Sequence, residues 1–127
     1  MKTLNPSDAV TQFVNAMNKG DLDTAMSFYE PEASLVVQPG VVVTGTLALR
    51  DALAGFVALK PLLTTEAHQT VEAGDIALYC SRWSLRGTDP AGNPVHMSGR
   101  SSDVFRRQSD GNWLIALDNP WGADIVT

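Results

Sequence analysis

The sequence predicts an α+β domain in which N-terminal helices cover one face of a curved antiparallel sheet. In the first half of the chain, apolar residues recur at helical spacing around one short β-branched stretch. From about residue 62, the pattern changes to strand-like alternation separated by turn signals. A length of 127 residues, of which 44% are hydrophobic, suits a single domain over residues 1–127 with one core.

Three helices are predicted. Asn5 is an N-cap acceptor followed by a proline, and Gly20 is a typical C-terminal stop, so the first helix lies between them. Asp21 is expected to cap a second, short helix that includes Tyr29 and ends at Pro31. The segment "TLALRDALAGFVAL" places its large apolar side chains on one face and predicts the third helix.

The remaining segments predict strands. "ASLVVQPGVVVTG" has β-branched residues on both sides of a Pro-Gly break, which is typical of two short strands or a hairpin. The later segments "LLTTEAHQTVEA", "IALYCSRWSLRG", "VHMSGRSSDVFRRQ" and "WLIALDNPW" are joined by turn sequences such as "TDPAGNP" and "SDGN". They predict an antiparallel meander.

Two aspartates of the last hairpin, "DVFRRQSDGNWLIALDNPWG", lie in strand segments that should be packed. If the Asp-Gly step forms a two-residue type I′ turn, counting along both strands places Asp103 opposite Asp118. Carboxylates in that position lie about 4.5–5.5 Å apart and repel, so something must offset the cost. The same count predicts further pairs. Phe105 with Ala116 and Ser101 with Pro120 lie on the face of the acids, and Arg106 with Ile115 and Val104 with Leu117 lie on the other face.

Three interpretations of this pair are open at the sequence level. In the first, the strand ends are solvated, or an arginine such as Arg82, Arg100 or Arg107 neutralises the acids. In the second, the pair lies in a cavity, where desolvation and repulsion raise one pKa. A protonated carboxyl then faces an ionised one, and the pair can donate and accept protons. In the third, a bulge changes the register and separates the two acids.

Charge and composition exclude several classes of function. A net charge of −5 and a pI of about 4.7 disfavour a nucleic-acid partner. No apolar run approaches the roughly 20 residues that cross a bilayer, so no membrane association is expected. With Cys80 as the only cysteine and no secretory signal, a cytoplasmic location is the expectation. His68 and His96 have no second ligand at metal spacing, so we expect no metal and no other cofactor.

The order of the elements, together with "MSFYEPEASLV", "GTLALRDAL" and "SSDVFRRQSDGNWLIALDNPWG", resembles the nuclear transport factor 2-like superfamily. That superfamily includes ketosteroid isomerases and polyketide-cyclase-like proteins, and the resemblance covers essentially the whole chain. It implies a cone-shaped, cystatin-like roll, in which helices close over a strongly curved sheet around a mostly apolar pocket. It also implies homodimers formed through the sheet.

In ketosteroid isomerases, a protonated aspartic acid donates a hydrogen bond to a developing oxyanion. The resemblance places that residue at Asp103. The isomerase's general base falls on Val37 or Gln38, neither of which abstracts a proton at neutral pH. Its first-helix tyrosine falls around residues 13–17, where no hydroxyl is present, whereas Tyr29 matches a tyrosine near the end of its second helix.

We therefore expect a small pocket protein that binds an apolar or aromatic molecule. In isomerase-, cyclase- or dehydratase-type chemistry, Asp103 would be the neutral hydrogen-bond donor and Asp118 the carboxylate base. The predicted ligand-binding residues are Tyr29, Phe56, Arg82, Trp83, Phe105 and Trp121. The alternative is a non-catalytic dimerising or ligand-sensing module with a filled pocket, which a cavity below roughly 300 Å³ would favour.

Overall fold

The computed structural model describes residues 5–126, which form helices packed on a single sheet. In chain order the elements are α1 (Pro6–Lys19), α2 (Leu22–Met26), β1 (Tyr29–Gln38), β2 (Val41–Thr44), α3 (Thr46–Val57), β3 (Leu62–Ala73), β4 (Ile76–Thr88), β5 (Pro94–Arg107), β6 (Trp113–Asp118) and a final 3-10 helix (Gly122–Ile125).

The sheet is curved and unclosed, with the strand order β2-β1-β6-β5-β4-β3. Neighbouring strands are antiparallel except for β1 and β6, which run parallel. The predicted α+β class and the later meander are confirmed, whereas the parallel pair was not predicted. Within the described part of the chain, no helix combines the length and the apolar character needed to cross a bilayer.

The ends of α1 follow the sequence signals. The Asn5 side chain accepts a hydrogen bond from the Asp8 N–H at 2.8 Å, which satisfies one of the free donors of the first turn. Gly20 ends the helix with a φ of 74°, a conformation that glycine adopts without steric cost.

The second helix is shorter than predicted. It ends at Met26, and Tyr29 is already the first residue of β1. Pro31 therefore lies inside a strand and does not end a helix. The reason is tertiary: the Phe28 carbonyl accepts a hydrogen bond from the Ile115 N–H at 2.8 Å, so the backbone here pairs with β6.

The core lies between the helices and the inner face of the sheet. On β4 the odd-numbered side chains point inward, and Ala77, Tyr79 and Leu85 are buried. The even-numbered side chains point to the outer face, where Leu78 is 42% exposed. On β4 this alternation assigns each residue to the cavity side or to the outer side.

The turn between β5 and β6 differs from the prediction. The Gln108 N–H donates to the Asn112 carbonyl at 2.7 Å, so the loop has three residues, 109–111, and the two-residue type I′ turn is wrong. Gly111 adopts a φ of 88°, as three-residue hairpin loops require of their last residue. All pairs next to the turn are consequently displaced by one residue.

A β-bulge at Ala116 compensates for this displacement. Phe105 pairs with Ile115, so the predicted partner Ala116 is wrong, but Val104 pairs with Leu117 as predicted. Ala116 is the extra residue on β6 between these two pairs. The same change moves Ile115 to the inner face, where it is buried, contrary to the prediction.

Beyond the bulge, the predicted register holds. The Ser102 N–H donates to the Asn119 carbonyl at 2.8 Å, which continues the pairing past the end of β6. Asp103 and Asp118 lie between that bond and the preceding pair, and therefore face each other on the inner side of the sheet.

Candidate functional site

A cavity of about 120 Å³ lies between the helices and the inner face of the sheet. Side chains of α1, β1 and α3 form apolar walls. The polar side-chain groups come from β4, β5 and β6, and they belong to Tyr79, Ser81, Ser101, Asp103 and Asp118, with the indoles of Trp83 and Trp121 nearby. The cavity is smaller than about 300 Å³, the low end for ligand sites, so its volume alone favours the non-catalytic alternative.

The two carboxyl groups are enclosed by protein atoms, although both residues keep partial exposure where they line the cavity. Burial, followed by the negative charge of Asp118, raises the pKa of Asp103 well above its usual range. The Asn119 N–H, which donates to Asp103 Oδ1 at 2.8 Å, opposes that shift.

Asp118 accepts hydrogen bonds from other donors than Asp103 does. Burial raises its pKa, but two donors oppose the rise: the Tyr29 hydroxyl, at 2.5 Å from Asp118 Oδ2, and the Asp103 carboxyl. Donors stabilise the ionised form of a carboxyl. The pair therefore favours one shared proton, carried by Asp103 and donated towards an ionised Asp118.

Tyr29 is buried behind the pair and does not line the cavity. Its ring packs edge-on against Phe13, with 5.7 Å between ring centroids, and this contact aims the hydroxyl at Asp118. Burial and the charge of Asp118 raise the pKa of the Tyr29 phenol well above its usual range. Tyr29 is thus a fixed donor to Asp118 and does not contact a ligand in the cavity.

The cavity contains a second polar group. The hydroxyls of Ser81 and Ser101 lie 2.7 Å apart and are hydrogen-bonded to each other. They occupy the row next to Tyr79 and Asp103, which face each other across β4 and β5. Pair counting placed Ser101 on the face of the acids, and Ser101 and Pro120 both line the cavity; the part that was not predicted is the hydrogen bond to Ser81 on β4.

Two tryptophans frame one end of the cavity. Trp83 Nε1 donates to the Pro120 carbonyl at 2.7 Å, and Trp121 Nε1 donates to the Val37 carbonyl at 3.1 Å. Their rings meet edge to face, with 5.5 Å between centroids. Because both N–H groups are engaged by backbone carbonyls, the rings are held in place and present carbon surface to the cavity.

The segment after β6 holds Trp121 in position. The buried Asn119 side chain donates to the Gly122 carbonyl at 3.1 Å and accepts from the Trp121 N–H at 3.3 Å. Gly122 has a φ of 55°, and a Cβ there would lie 2.5 Å from the Arg100 carbonyl oxygen. Only glycine fits this close approach to β5.

The structure brings most of the predicted residues to one place. Phe56, Trp83, Phe105 and Trp121 line the cavity together with the two aspartates. Arg82 does not: it is exposed on the outer face, because its neighbour Trp83 points inward and successive strand residues alternate. At the position that corresponds to the isomerase base, the side chain lining the cavity is Val37.

No arginine neutralises the acid pair within residues 5–126. Arg107 is paired with Asp75, while Arg82 and Arg100 face each other on the outer side of the sheet. In the same residues, no three histidines, cysteines or acids are grouped so that they could hold a metal ion. His68 stacks on the ring of Tyr79, with 5.5 Å between centroids.

Helices closed over one face of a curved sheet, with a cavity between them, define a cone-shaped pocket fold. The chain belongs to the SnoaL-like domain family, whose model matches residues 10–115, and thereby to the nuclear transport factor 2-like superfamily that the sequence resembled. No curated protein matches the sequence.

Solved structures show the same fold. A candidate dehydratase of the nuclear transport factor 2-like family from Streptomyces avermitilis is 24% identical, with a TM-score of 0.73, over 87% of this chain and 88% of its own. A candidate ketosteroid isomerase from Shewanella frigidimarina is 22% identical, with a TM-score of 0.74, over 87% and 89%. A superfamily member from Salmonella enterica is 18% identical, with a TM-score of 0.78, over 87% and 83%. At these identities the likeness establishes the fold.

Proposed function

We propose that this protein binds a small apolar or aromatic molecule in the cavity and transfers protons on it with the Asp103–Asp118 pair. The observation that carries the proposal is the facing of two carboxyls in an apolar cavity whose described lining contains no lysine, arginine or histidine. Burying such a pair is costly, and a purely structural core gains nothing from it.

The two carboxyls have complementary roles. When a ligand binds, Asp103 keeps its proton and turns its hydrogen bond from Asp118 to the ligand's polar atom, while the ionised Asp118 accepts a proton from the ligand. Family members that include candidate dehydratases and isomerases are compatible with this chemistry. Asp118 supplies the base function that is missing at Val37.

The volume limits the ligand. A cavity of about 150 Å³ in another protein accommodates benzene, so about 120 Å³ suits a molecule with a single small ring. A larger ligand requires movement of half-buried lining side chains such as Phe56 or Met97.

Binding is tested by NMR titration of the labelled protein with cyclopentanone. We expect amide shifts confined to the elements that line the cavity, which include α1 and α3 as well as the strands. Val37→Phe, which fills the cavity, should abolish them, whereas the matched change Val42→Phe on the exposed side of β2 should not. Equal shifts in both variants would show that the ketone binds elsewhere.

Proton transfer is tested separately by following deuterium incorporation at the carbons next to the ketone in D₂O. The wild-type protein should accelerate the exchange, and Asp118→Asn should lose most of the acceleration. Asp51→Asn, an exposed change on α3, is the control. Binding without acceleration would support the alternative, a non-catalytic ligand-sensing module.

We also propose a homodimer formed through the outer face of the sheet. Val71, Leu78, Val104 and Leu117 are successive cross-strand neighbours and form an apolar row there, with Val71 58% exposed. A row of this kind favours burial against a second copy. Leu78→Glu should shift sedimentation to the monomer, whereas Leu47→Glu, at an exposed site on α3, should not. An unchanged sedimentation coefficient in both variants would contradict the interface.

A further inference from the structure

We infer that the outer face of the sheet carries a second binding site, a groove in which Arg82 and Arg100 hold a phosphate group, either free phosphate or the end of a small phosphate ester. The site is separate from the cavity, which lies on the other side of the same strands, and it does not depend on the cavity's proposed function. Three features support it: the shape of the groove, the two arginines beside it and the distribution of charge on the chain.

The groove is open to solvent and has a volume of about 490 Å³, within the roughly 300–1,000 Å³ that is usual for ligand sites. Its lining includes even-numbered residues of β4 and β5, which point to the outer face, and no residue of the helices α1 and α3 that cover the inner face. Small side chains form its floor, because they leave room between the longer ones around them, and the final 3-10 helix forms one wall. The floor residues are Ala67 on β3, Cys80 on β4 and Ser102 on β5.

Two arginines stand side by side at the groove. Arg82 and Arg100 are directly opposite each other across β4 and β5, and both are exposed. Residues in such a pair lie about 4.5–5.5 Å apart, and like charges there are destabilising. Neither guanidinium forms a hydrogen bond or a salt bridge with any residue that the structure describes. The groove therefore has two neighbouring positive charges whose N–H donors are free.

Composition does not explain why these two arginines lack acidic partners. The chain has 14 acids and only nine lysines and arginines, so acids are in excess. Three other arginines are paired: the salt bridges join Arg50 to Asp23, Arg106 to Glu30 and Arg107 to Asp75. On a chain with a net charge of −5, the groove is thus a local positive site.

One acid borders the groove. Asp124, on the final 3-10 helix, is exposed and forms no salt bridge with a described residue. Its single charge is smaller than that of the two guanidinium groups, so the groove stays positive. Because the Asp124 carboxylate repels an anion, its removal should strengthen anion binding.

A phosphate group suits these donors. Guanidinium groups bind phosphate oxygens through two parallel, charge-assisted hydrogen bonds. A phosphate monoester carries close to two negative charges at neutral pH and can compensate both arginines, whereas a carboxylate compensates only one. The next row of the groove adds the Gln69 amide and the Ser102 hydroxyl, which are neighbours of Cys80 on either side. Among described side chains, that hydroxyl contacts only the Cys80 thiol, at 3.9 Å, and is free to turn towards an anion.

Binding is tested by NMR titration of the wild-type protein at pH 7 and fixed ionic strength, following the arginine Nε–H signals. The probes are sodium phosphate, methyl phosphate and, as the singly charged comparison, sodium acetate. We expect shifts at Arg82 and Arg100, with phosphate bound about threefold to fivefold more tightly than acetate, the scale of one additional exposed ion pair. Tighter binding of methyl phosphate than of phosphate assigns the site to an ester, and equal or weaker binding assigns it to the free ion.

Three variants assign the residues. Arg100→Gln should weaken phosphate binding about threefold to fivefold. Arg86→Gln is the matched control, because Arg86 is on the same face as Arg82 but four residues away. That separation is about 13 Å at 3.3 Å per residue, beyond the screening length of about 8 Å at physiological salt, so we expect a change below about 1.5-fold. Asp124→Asn should tighten binding about twofold. Since these side chains are exposed, all three variants should fold.

Several outcomes would overturn the site. Equal weakening by Arg100→Gln and Arg86→Gln would show that phosphate responds only to overall charge. Acetate binding as tightly as phosphate, or no shifts at the two arginines, would have the same consequence. The groove borders the apolar row proposed for the dimer, so the titration is repeated with the monomeric variant Leu78→Glu. Shifts that appeared only in this variant would show that a second copy covers the groove. None of these results affects the cavity, which is tested with cyclopentanone.

Discussion

The hydrogen bond from Tyr29 to Asp118 can be removed without changing the packing around it. In Tyr29→Phe, the ring keeps its edge-on contact with Phe13, and only the hydroxyl is lost. The bond is short, at 2.5 Å, partly buried, and directed to an ionised carboxyl, a class that contributes about 1.5–3 kcal/mol. For a domain of this length, that corresponds to a melting temperature lower by roughly 6–12 °C at neutral pH.

The pH dependence distinguishes this bond from ordinary packing. The hydroxyl lowers the pKa of Asp118, which burial raises, so its removal raises that pKa further. The stabilisation is full while Asp118 is ionised in the folded state. It declines as the pH falls through the raised folded pKa towards the ordinary value of about 3.9, because a protonated carboxyl accepts only a neutral bond of about 0.5–1.5 kcal/mol.

Tyr79→Phe is the matched control, because this second buried tyrosine donates to no described residue. We expect urea unfolding at pH 7 to show a change within about 0.5 kcal/mol for Tyr79→Phe and the full loss for Tyr29→Phe. Equal losses in the two variants, or a loss for Tyr29→Phe that does not vary with pH, would refute the role assigned to the hydroxyl.

Two further stability predictions follow from the same region. Because the pKa of Asp103 is raised, the folded state holds a proton that the unfolded state releases above about pH 3.9, so stability falls as the pH rises. Asp103→Asn should therefore stabilise the protein at pH 7 and progressively less towards pH 4. Equal or lower stability of the variant at pH 7 would indicate that a positive charge already neutralises the Asp103 carboxylate. Gly122→Ala should lose about 2 kcal/mol or more, since its Cβ would meet the Arg100 carbonyl at a positive φ. Gly55→Ala, at an open position in the last turn of α3, should gain up to about 0.5–1 kcal/mol, and denaturant titration that found the same sign for both would contradict the packing of Gly122.

Local signals in the sequence were sufficient for most of the fold. The caps of α1 depend on Asn5 and Gly20 alone, and both act as predicted. The end of α2 could not be predicted in this way, because Tyr29 joins β1 through pairing with a strand almost ninety residues later in the chain. Contacts at that separation are decided by tertiary packing, which overrides local propensity.

The facing of the two aspartates was predicted through two errors that cancel. The loop has one residue more than expected, and the bulge at Ala116 adds one residue to β6. Arg82 and Trp83 are consecutive residues of one strand, so they cannot both face the cavity. Strand alternation alone therefore contradicts the prediction that both bind the ligand. The bond between Tyr29 and Asp118 had no sequence signal, since it depends on the parallel pairing of β1 with β6.

The bulge at Ala116 affects the shape of β6 in the cavity wall but not which two acids face each other there. Without the extra residue, Ile115 would be followed directly by Leu117 and Asp118, and strict alternation would still place Ile115 and Asp118 inward and Leu117 outward. Deleting Ala116 should therefore straighten the strand while both acids stay opposite each other. Conversely, replacing the bulge by regular pairing without a deletion would rotate Asp118 to the outer face. The carboxylate therefore stays in the cavity in two cases, with Ala116 present as a bulge or with Ala116 absent from a regular strand, and leaves it only when Ala116 is paired regularly.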